Sequence, residues 1–359
     1  MDTLTDNKAV DLITPLRAFV PLDAEIGRTE PQSDIAEILK QRRFQAAIQP
    51  PSLRPIYSLD GQAIATPGNL ATITAGVKAG KTSVIGAMMA SAMAESTDVD
   101  LLGFSSSNPN FYALLHFDSE QSPDDHWHQI ARALRRARLP QPPPWLYSYC
   151  LTGLLPRLAW ECVREATQQA AELHCGTHSL LIDGAADLVT DVNDAAESND
   201  FVATLQGMAK HDCPIIGVIH FNPGTEKVRG HLGSQLERKA ETNLRLDKLH
   251  NVTTIWSDKQ RRAPIPKSTG PCFRWSDEAE MHVSEESRQA HVEQEEKEHL
   301  TLLAEEIFGE HISMRHSELV TTIIAKQKTG KRTAERRVSR MSELKIITKF
   351  GAALYSRTT

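Results

Sequence analysis

The run Ala75-Gly76-Val77-Lys78-Ala79-Gly80-Lys81-Thr82, continued by Ser83, has the residue types of a phosphate-binding loop. It matches the relaxed form of that pattern, with Ala75 where the strict form has glycine. Such a loop works because backbone N–H groups of a tight turn point inward at phosphate oxygens. Gly80 allows close approach of the backbone, Lys81 neutralises the terminal phosphates, and Thr82 offers a hydroxyl to Mg2+ at a helix N-terminus that already favours anions. Lys78 adds a second cation, which either touches phosphate or faces solvent.

Two carboxylate-bearing segments follow in the order a nucleotide hydrolase needs. Leu114-Leu115-His116-Phe117-Asp118-Ser119-Glu120-Gln121 is an apolar run ending in acids, and period-two alternation puts Asp118 and Glu120 on one side of its exit. A carboxylate there can orient and polarise an attacking water. Ser179-Leu180-Leu181-Ile182-Asp183 is a second apolar run ending in an acid, suited to hold Mg2+ through water. Gly184-Ala185-Ala186 follows it, so Asp183 has no acidic neighbour to act as base. His220 and Asn222 end a further run and are candidates to sense the terminal phosphate. His126-Trp127-His128 has metal-like spacing but no accompanying carboxylate or thiol motif, and reads as a packed tryptophan between polar histidines.

The elements that must position these residues are legible as alternation. Apolar runs at Leu70–Thr74, Tyr112–Phe117, Leu146–Leu151, Ser179–Ile182 and Ile215–Phe221 are separated by helical patterns starting near Lys81, Pro123, Arg157 and Asn199. Strand–helix alternation predicts a mostly parallel sheet covered on both faces, with its ligand edge at the strands' C-terminal ends. The continuous apolar character of Ile215–Ile219 predicts a central strand. Ile56–Ile64 reads as a hairpin turning at Asp60-Gly61, and Asn243–Leu249 and Val252–Asp258 as antiparallel strands extending the sheet. Ahead of these, residues 1–50 form a lead-in with one helix from Ser33 to Ile48. The core spans 51–276, and 277–298 is an acidic linker or exposed helix.

The last part, 299–359, reads as three helices and a hairpin. Helices are expected at His299–Phe308, Arg315–Lys326 and Lys331–Leu344, with a turn at Lys328–Gly330 and a strand pair turning at Gly351. One face of the third helix is apolar (Ala334, Val338, Met341, Leu344), and the other carries Arg332, Arg336, Arg337 and Arg340. A basic second helix of a helix–turn–helix with a β-wing suits the major groove of duplex DNA.

Charge supports this division. The chain of 359 residues has formal charge -6, yet Glu310–Thr359 holds 11 Lys and Arg against 4 Asp and Glu, so a basic tail follows an acidic body. With 40% hydrophobic residues the chain can build a sizeable core, which excludes disorder throughout. No apolar stretch approaches a membrane span, and the N-terminus lacks a basic-then-apolar leader, so a cytoplasmic protein without membrane contact is expected. Five scattered cysteines argue against a disulfide framework or structural zinc site.

From about Leu70 to Trp275 the sequence resembles the RecA-like ATPases, most closely the hexameric plasmid replicative helicases of the RepA kind. The residues that carry the resemblance are Gly76–Thr82, Asp118-Ser119-Glu120-Gln121, Leu181-Ile182-Asp183, Val218-Ile219-His220 and Arg229-Gly230. The resemblance implies a RecA-like α/β core using ATP and Mg2+, with Glu120 as catalytic base. It also implies a homo-hexameric ring passing a single DNA strand, with pore loops at 187–200 and 222–232. A basic residue acting in trans is expected within Lys259-Gln260-Arg261-Arg262, with Arg261 favoured and Arg229 and Arg238 as rivals. An ATP-switched DNA-binding regulator or loader that does not unwind is the alternative. A filament-forming recombinase is weaker, because no pairing site or self-association motif is recognisable.

Overall fold

The computed structural model describes residues 35–46, 54–96, 98–209, 213–222, 224–225, 227–285, 288–309, 311–350 and 354–357. The lead-in before residue 35, with Ser33 as the expected helix cap, lies outside these, as do Ile48 and the expected turn at Gly351.

Along the first part of the chain the elements are α1 (Ile35–Arg42), β1 (Tyr57–Leu59), β2 (Gln62–Ala65), β3 (Leu70–Ala75), α2 (Lys81–Met93), β4 (Phe104–Ser106), β5 (Ala113–Asp118) and α3 (Pro123–Ala137). Then come β6 (Leu146–Cys150), α4 (Pro156–Leu173), β7 (Thr177–Asp183), α5 (Ala195–Ala209), β8 (Ile215–His220) and α6 (Gly230–Lys239). Strands β9 (Thr242–Leu249), β10 (Val252–Gln260), β11 (Cys272–Ser276) and β12 (Met281–Glu285) complete this part. The C-terminal part contains α7 (Arg288–Phe308), β13 (Met314–Arg315), α8 (His316–Gln327), α9 (Lys331–Glu343), β14 (Ile347–Phe350) and β15 (Leu354–Arg357).

Nine strands form one sheet in the order β12-β11-β10-β9-β3-β8-β7-β5-β6. The six from β9 to β6 pair in parallel, and β10, β11 and β12 add antiparallel strands at one side. Strand β8 sits between β3 and β7 and is buried along all but its last residue, which is why it reads as unbroken apolar sequence. One face of the sheet packs under α2 and α3 around Ile73, Val84, Met88, Leu114 and Val218. The other packs under α4 and α5 around Leu115, Phe117, Val163, Ile182 and Phe201. The fold is therefore the α/β class with a mostly parallel, doubly covered sheet that the alternation predicted.

Several expectations change. Strand β9 is parallel to β3 and antiparallel only to β10. The cause is α6, an unforeseen helix that begins at the end of the 222–232 segment and runs to Lys239: it carries the chain back across the sheet, as a parallel connection requires. Helix α5 begins at Ala195 rather than near Asn199. The acidic stretch 277–298, expected as a linker or exposed helix, holds the first half of α7 and, ahead of it, the unforeseen edge strand β12.

The C-terminal part follows its amphipathic patterns closely. Leu319, Val320 and Ile323 of α8 and Ala334, Val338 and Met341 of α9 are buried with Leu303, Ile307 and Phe308 of α7. Strands β13, β15 and β14 form a separate antiparallel sheet beside them.

Candidate active site

The phosphate loop leaves β3 at Ala75 and enters α2 at Lys81. Gly80 sits in the left-handed region at φ 90, and a Cβ there would lie 2.7 Å from the Phe273 ring of β11, so only glycine fits. Lys78 is also left-handed, at φ 59, and exposed. Within the loop Ala75 and Ala79 are buried while Val77 is exposed. Lys81 is 7% exposed and its Nζ donates to the Gly76 carbonyl at 3.3 Å, aiming the ammonium back into the loop. Burial pushes its pKa down, opposed by the nearby carboxylates of Glu120 and Asp183.

Asp183, at the end of β7, is 2% exposed, and its Oδ2 has no hydrogen-bond partner. Burial, and then the charges of Glu120 and Asp118, push its pKa up to about 8, while Lys81 and the Thr82 hydroxyl bond pull it down. A buried carboxylate with a free oxygen next to Thr82 at a helix N-terminus fits a magnesium site. Gln121 Nε2 donates to Thr82 Oγ1 at 3.0 Å, tying the end of β5 to the loop. Ser83 Oγ lies 2.7 Å from His282 Nδ1 of β12.

Asp118 and Glu120 separate rather than sharing a face. Strand β5 ends at Asp118, so its alternation does not reach Glu120. Asp118 is fully buried, and its Oδ1 accepts the N–H groups of Glu120 and Gln121, both at 3.0 Å. Burial raises its pKa, but the His126 bond and these amides outweigh it and hold the carboxyl below its usual range. Glu120 is left partly exposed, with Oε1 2.6 Å from His220 Nε2. The backbone of Gly184, left-handed at φ 96, passes so close that a Cβ there would meet Ser119 Oγ at 2.1 Å and Glu120 Cγ at 2.9 Å. Thus the glycine after Asp183 leaves room for the Ser119 and Glu120 side chains.

A cavity of about 710 Å³ opens beside Glu120 and His220, bordered also by Asp187, Val192, Asn193 and Arg229. Asn222 is turned into its own loop, donating to the Val228 carbonyl at 3.2 Å, so His220 is the strand-end residue that reaches the site. The segments expected as pore loops touch each other: Leu232 N–H donates to the Val192 carbonyl at 3.0 Å, and a Cβ on Gly230 would meet that carbonyl at 2.5 Å. Segment 187–200 carries Asp187, Asp191, Asp194, Glu197 and Asp200 and no Lys or Arg.

The remaining expected residues lie elsewhere. Arg261 follows the end of β10, where Gln260 faces Thr242 and Thr242 faces Ala71. That is the edge of the sheet opposite the phosphate loop. Arg261 contacts Asn69 at 3.3 Å, Arg262 pairs with buried Glu241 at 2.7 Å, and Lys259 Nζ donates to carbonyls at the end of α6. Arg238 donates to Gln235. None of the four lines the cavity, whereas Arg229 borders it. On α9, Arg332 and Arg336 are exposed, Arg337 is half-buried, and Arg340 is held by Glu296 at 2.9 Å and Glu343 at 3.2 Å.

Phe273 and His282, which pack on the loop, carry little signal in the sequence because β11 and β12 are short strands and the residues they cover, Gly80 and Ser83, lie far away in the chain. The one cue was the apolar Cys272-Phe273 pair.

No protein-family model matches this chain, and no curated protein does. Among the solved structures that match is a crystal structure of the RadB recombinase, 16% identical, with TM-score 0.41; the match covers 62% of this chain and 93% of that one.

Proposed function

We propose that this protein is a Mg2+-dependent ATPase coupled to DNA, most simply a ring-forming replicative helicase of a plasmid, phage or mobile element. The observation that carries the reading is the convergence at one sheet edge of Lys81 and Thr82 from β3–α2, Asp183 from β7 and Glu120 held by His220 from β8. These are the parts that in-line water attack on a terminal phosphate needs: a cation for the phosphates, a carboxylate for a metal and a carboxylate for the water.

In this mechanism Ala75–Ser83 cradles the phosphates through backbone N–H groups, and Lys81 offsets their charge. Thr82 and Asp183 would hold Mg2+, which when bound supplies charge stabilisation to the terminal phosphates. Glu120 orients the water and accepts its proton, and His220 fixes the rotamer of Glu120. Arg261 lies too far from its own site to act there, which suits action in a neighbouring subunit of a homo-hexamer. Arg229, beside the cavity, is the rival in cis. The C-terminal helices and sheet act as a winged-helix domain, with Arg332, Arg336 and Arg337 on duplex phosphates; Arg340 is already paired. Of the two expected pore segments, 222–232 with Lys227 and Arg229 suits single-stranded DNA, whereas the acidic 187–200 does not.

That acidic segment is the observation favouring a second reading, an ATP-switched DNA-binding regulator or loader. Steady-state ATPase with and without single-stranded DNA, beside Lys81→Ala, separates the two. A helicase shows turnover stimulated many-fold by the single strand, and it displaces an annealed oligonucleotide. A switch turns over slowly and indifferently to DNA. Wild-type turnover in Lys81→Ala would sink both readings.

A further inference from the structure

A cluster behind the nucleotide edge is not used by the mechanism above. His116 and Asp118 alternate onto one face of β5, and in the parallel pairing Asp118 stands opposite Asp183 of β7. One potential ligand atom from each of His116, Asp118 and Asp183 lies within 4.8 Å of the others. All three residues are buried, at 0%, 0% and 2% exposure. Two of them have unused capacity: His116 Nε2 and Asp183 Oδ2 have no hydrogen-bond partner.

The other sides of these groups are fixed. His116 Nδ1 is 2.9 Å from Ser148 Oγ, Ser148 Oγ is 3.1 Å from His126 Nε2, and His126 Nδ1 is 3.4 Å from Asp118 Oδ2. The two imidazoles stack with planes 3° apart. Asp118 Oδ1 is held by two backbone amides. A ligating histidine characteristically has its other nitrogen tied to an oxygen, and ligating carboxylates are themselves hydrogen-bonded. Unpaired buried polar atoms are costly, and two buried carboxylates side by side more so, unless a cation sits between them.

We propose that His116, Asp118 and Asp183 form a buried binding site for a first-row divalent cation such as Mn2+, which the protein takes up without nucleotide. One imidazole and two carboxylates give a neutral complex with a divalent ion. The nitrogen ligand distinguishes this site from the all-oxygen environment that Mg2+ prefers. Asp183 belongs both to this site and to the proposed nucleotide-linked magnesium site, so the cluster also sets the direction in which that carboxylate points. The proposal does not require the chain to hydrolyse ATP.

The test uses the full-length, nucleotide-free protein titrated with MnCl2 and followed by electron paramagnetic resonance. The expected result is one Mn2+ held per chain, with a nitrogen-14 hyperfine coupling in the pulsed spectrum from directly bonded imidazole. In His116→Leu that coupling should vanish and Mn2+ affinity should fall at least about 10-fold, the loss that even outer-shell changes produce. Lys81→Ala should keep both binding and coupling, so failure of the ATPase reading would leave this result standing. No bound Mn2+, bound Mn2+ without nitrogen coupling, or a folded His116→Leu that binds as tightly as wild type would each overturn it. Should His116→Leu fail to fold, the coupling in the wild-type spectrum still decides the question.

Discussion

Charge is used in opposite ways in the two basic regions of this chain. At the phosphate-loop edge Lys81 is buried, aimed by a carbonyl and flanked by Glu120 and Asp183. On α9, Arg332 and Arg336 project into solvent from a helix whose other face is core. The first arrangement suits chemistry at one atom, where displacement by an ångström is costly. The second suits a phosphate backbone, where affinity comes from summed charge and little from exact position. Arg340 marks the boundary between them: it belongs to the basic face by sequence but is held by Glu296 and Glu343.

The comparison breaks most easily at Glu120. Glu120→Gln should lower ATP turnover by about 10²- to 10⁴-fold while leaving nucleotide binding intact. Single-turnover hydrolysis beside a nucleotide-binding titration checks this, and near-normal turnover would remove Glu120 as the base. Lys81→Ala should cost about 10²- to 10³-fold and weaken nucleotide binding as well.

Folding energetics give the next effect. Burial holds His178, hydrogen-bonded between Ser106 and Ser179, down at a pKa of about 4. The unfolded chain then binds more protons than the folded one between about pH 6.5 and 4, so stability is present above that window and is lost as pH falls through it. The full shift is on the order of 3 kcal/mol. Urea midpoints across that range should fall with acid, and His178→Gln should flatten the slope; an unchanged slope would remove His178 as the cause. Gly184→Ala should cost about 1–3 kcal/mol of strain and reduce turnover by displacing Glu120. Duplex affinity should stay constant, and circular dichroism melts with a binding assay would show whether the two regions are independent.

The smallest effects belong to the tail. Replacing Arg336 and Arg337 together by Ala should flatten the salt dependence of duplex binding by roughly two contacts, with DNA-free turnover unchanged. Arg340→Ala should change the slope by less, because its charge is already paired. Slopes equal to wild type in both variants would assign α9 to protein contacts instead.

Much of the site was legible because phosphate chemistry fixes residue types over short spans. Ala75–Ser83 needs only its own backbone and the start of a helix to be recognised. Asp183 and His220 were readable as strand ends, since an apolar run followed by a polar residue marks the C-terminal edge of a parallel sheet. Asp118 misled for the same reason: alternation assumes that the strand continues, and here it stops where the Asp118 carboxylate caps the following turn. Helix α6 was hidden by Gly230, Gly233 and the polar residues around them, which resemble a loop when the buried side formed by Leu232 and Leu236 is not weighed.

The sequence alone determined the strand–helix alternation of the parallel sheet up to β8, the phosphate-loop pattern, the acidic strand ends and the amphipathic helices of the tail. All of these are local patterns with periods of two or 3.6 residues. Tertiary structure decided what is non-local. It made β9 parallel, put Glu120 against His220 one hundred positions away, required glycine at 184, placed Arg261 at the far edge of the sheet and closed His116, Asp118 and Asp183 into one cluster. Each depends on the register between strands distant in the chain, and register is set by packing across the whole sheet rather than by any segment within it.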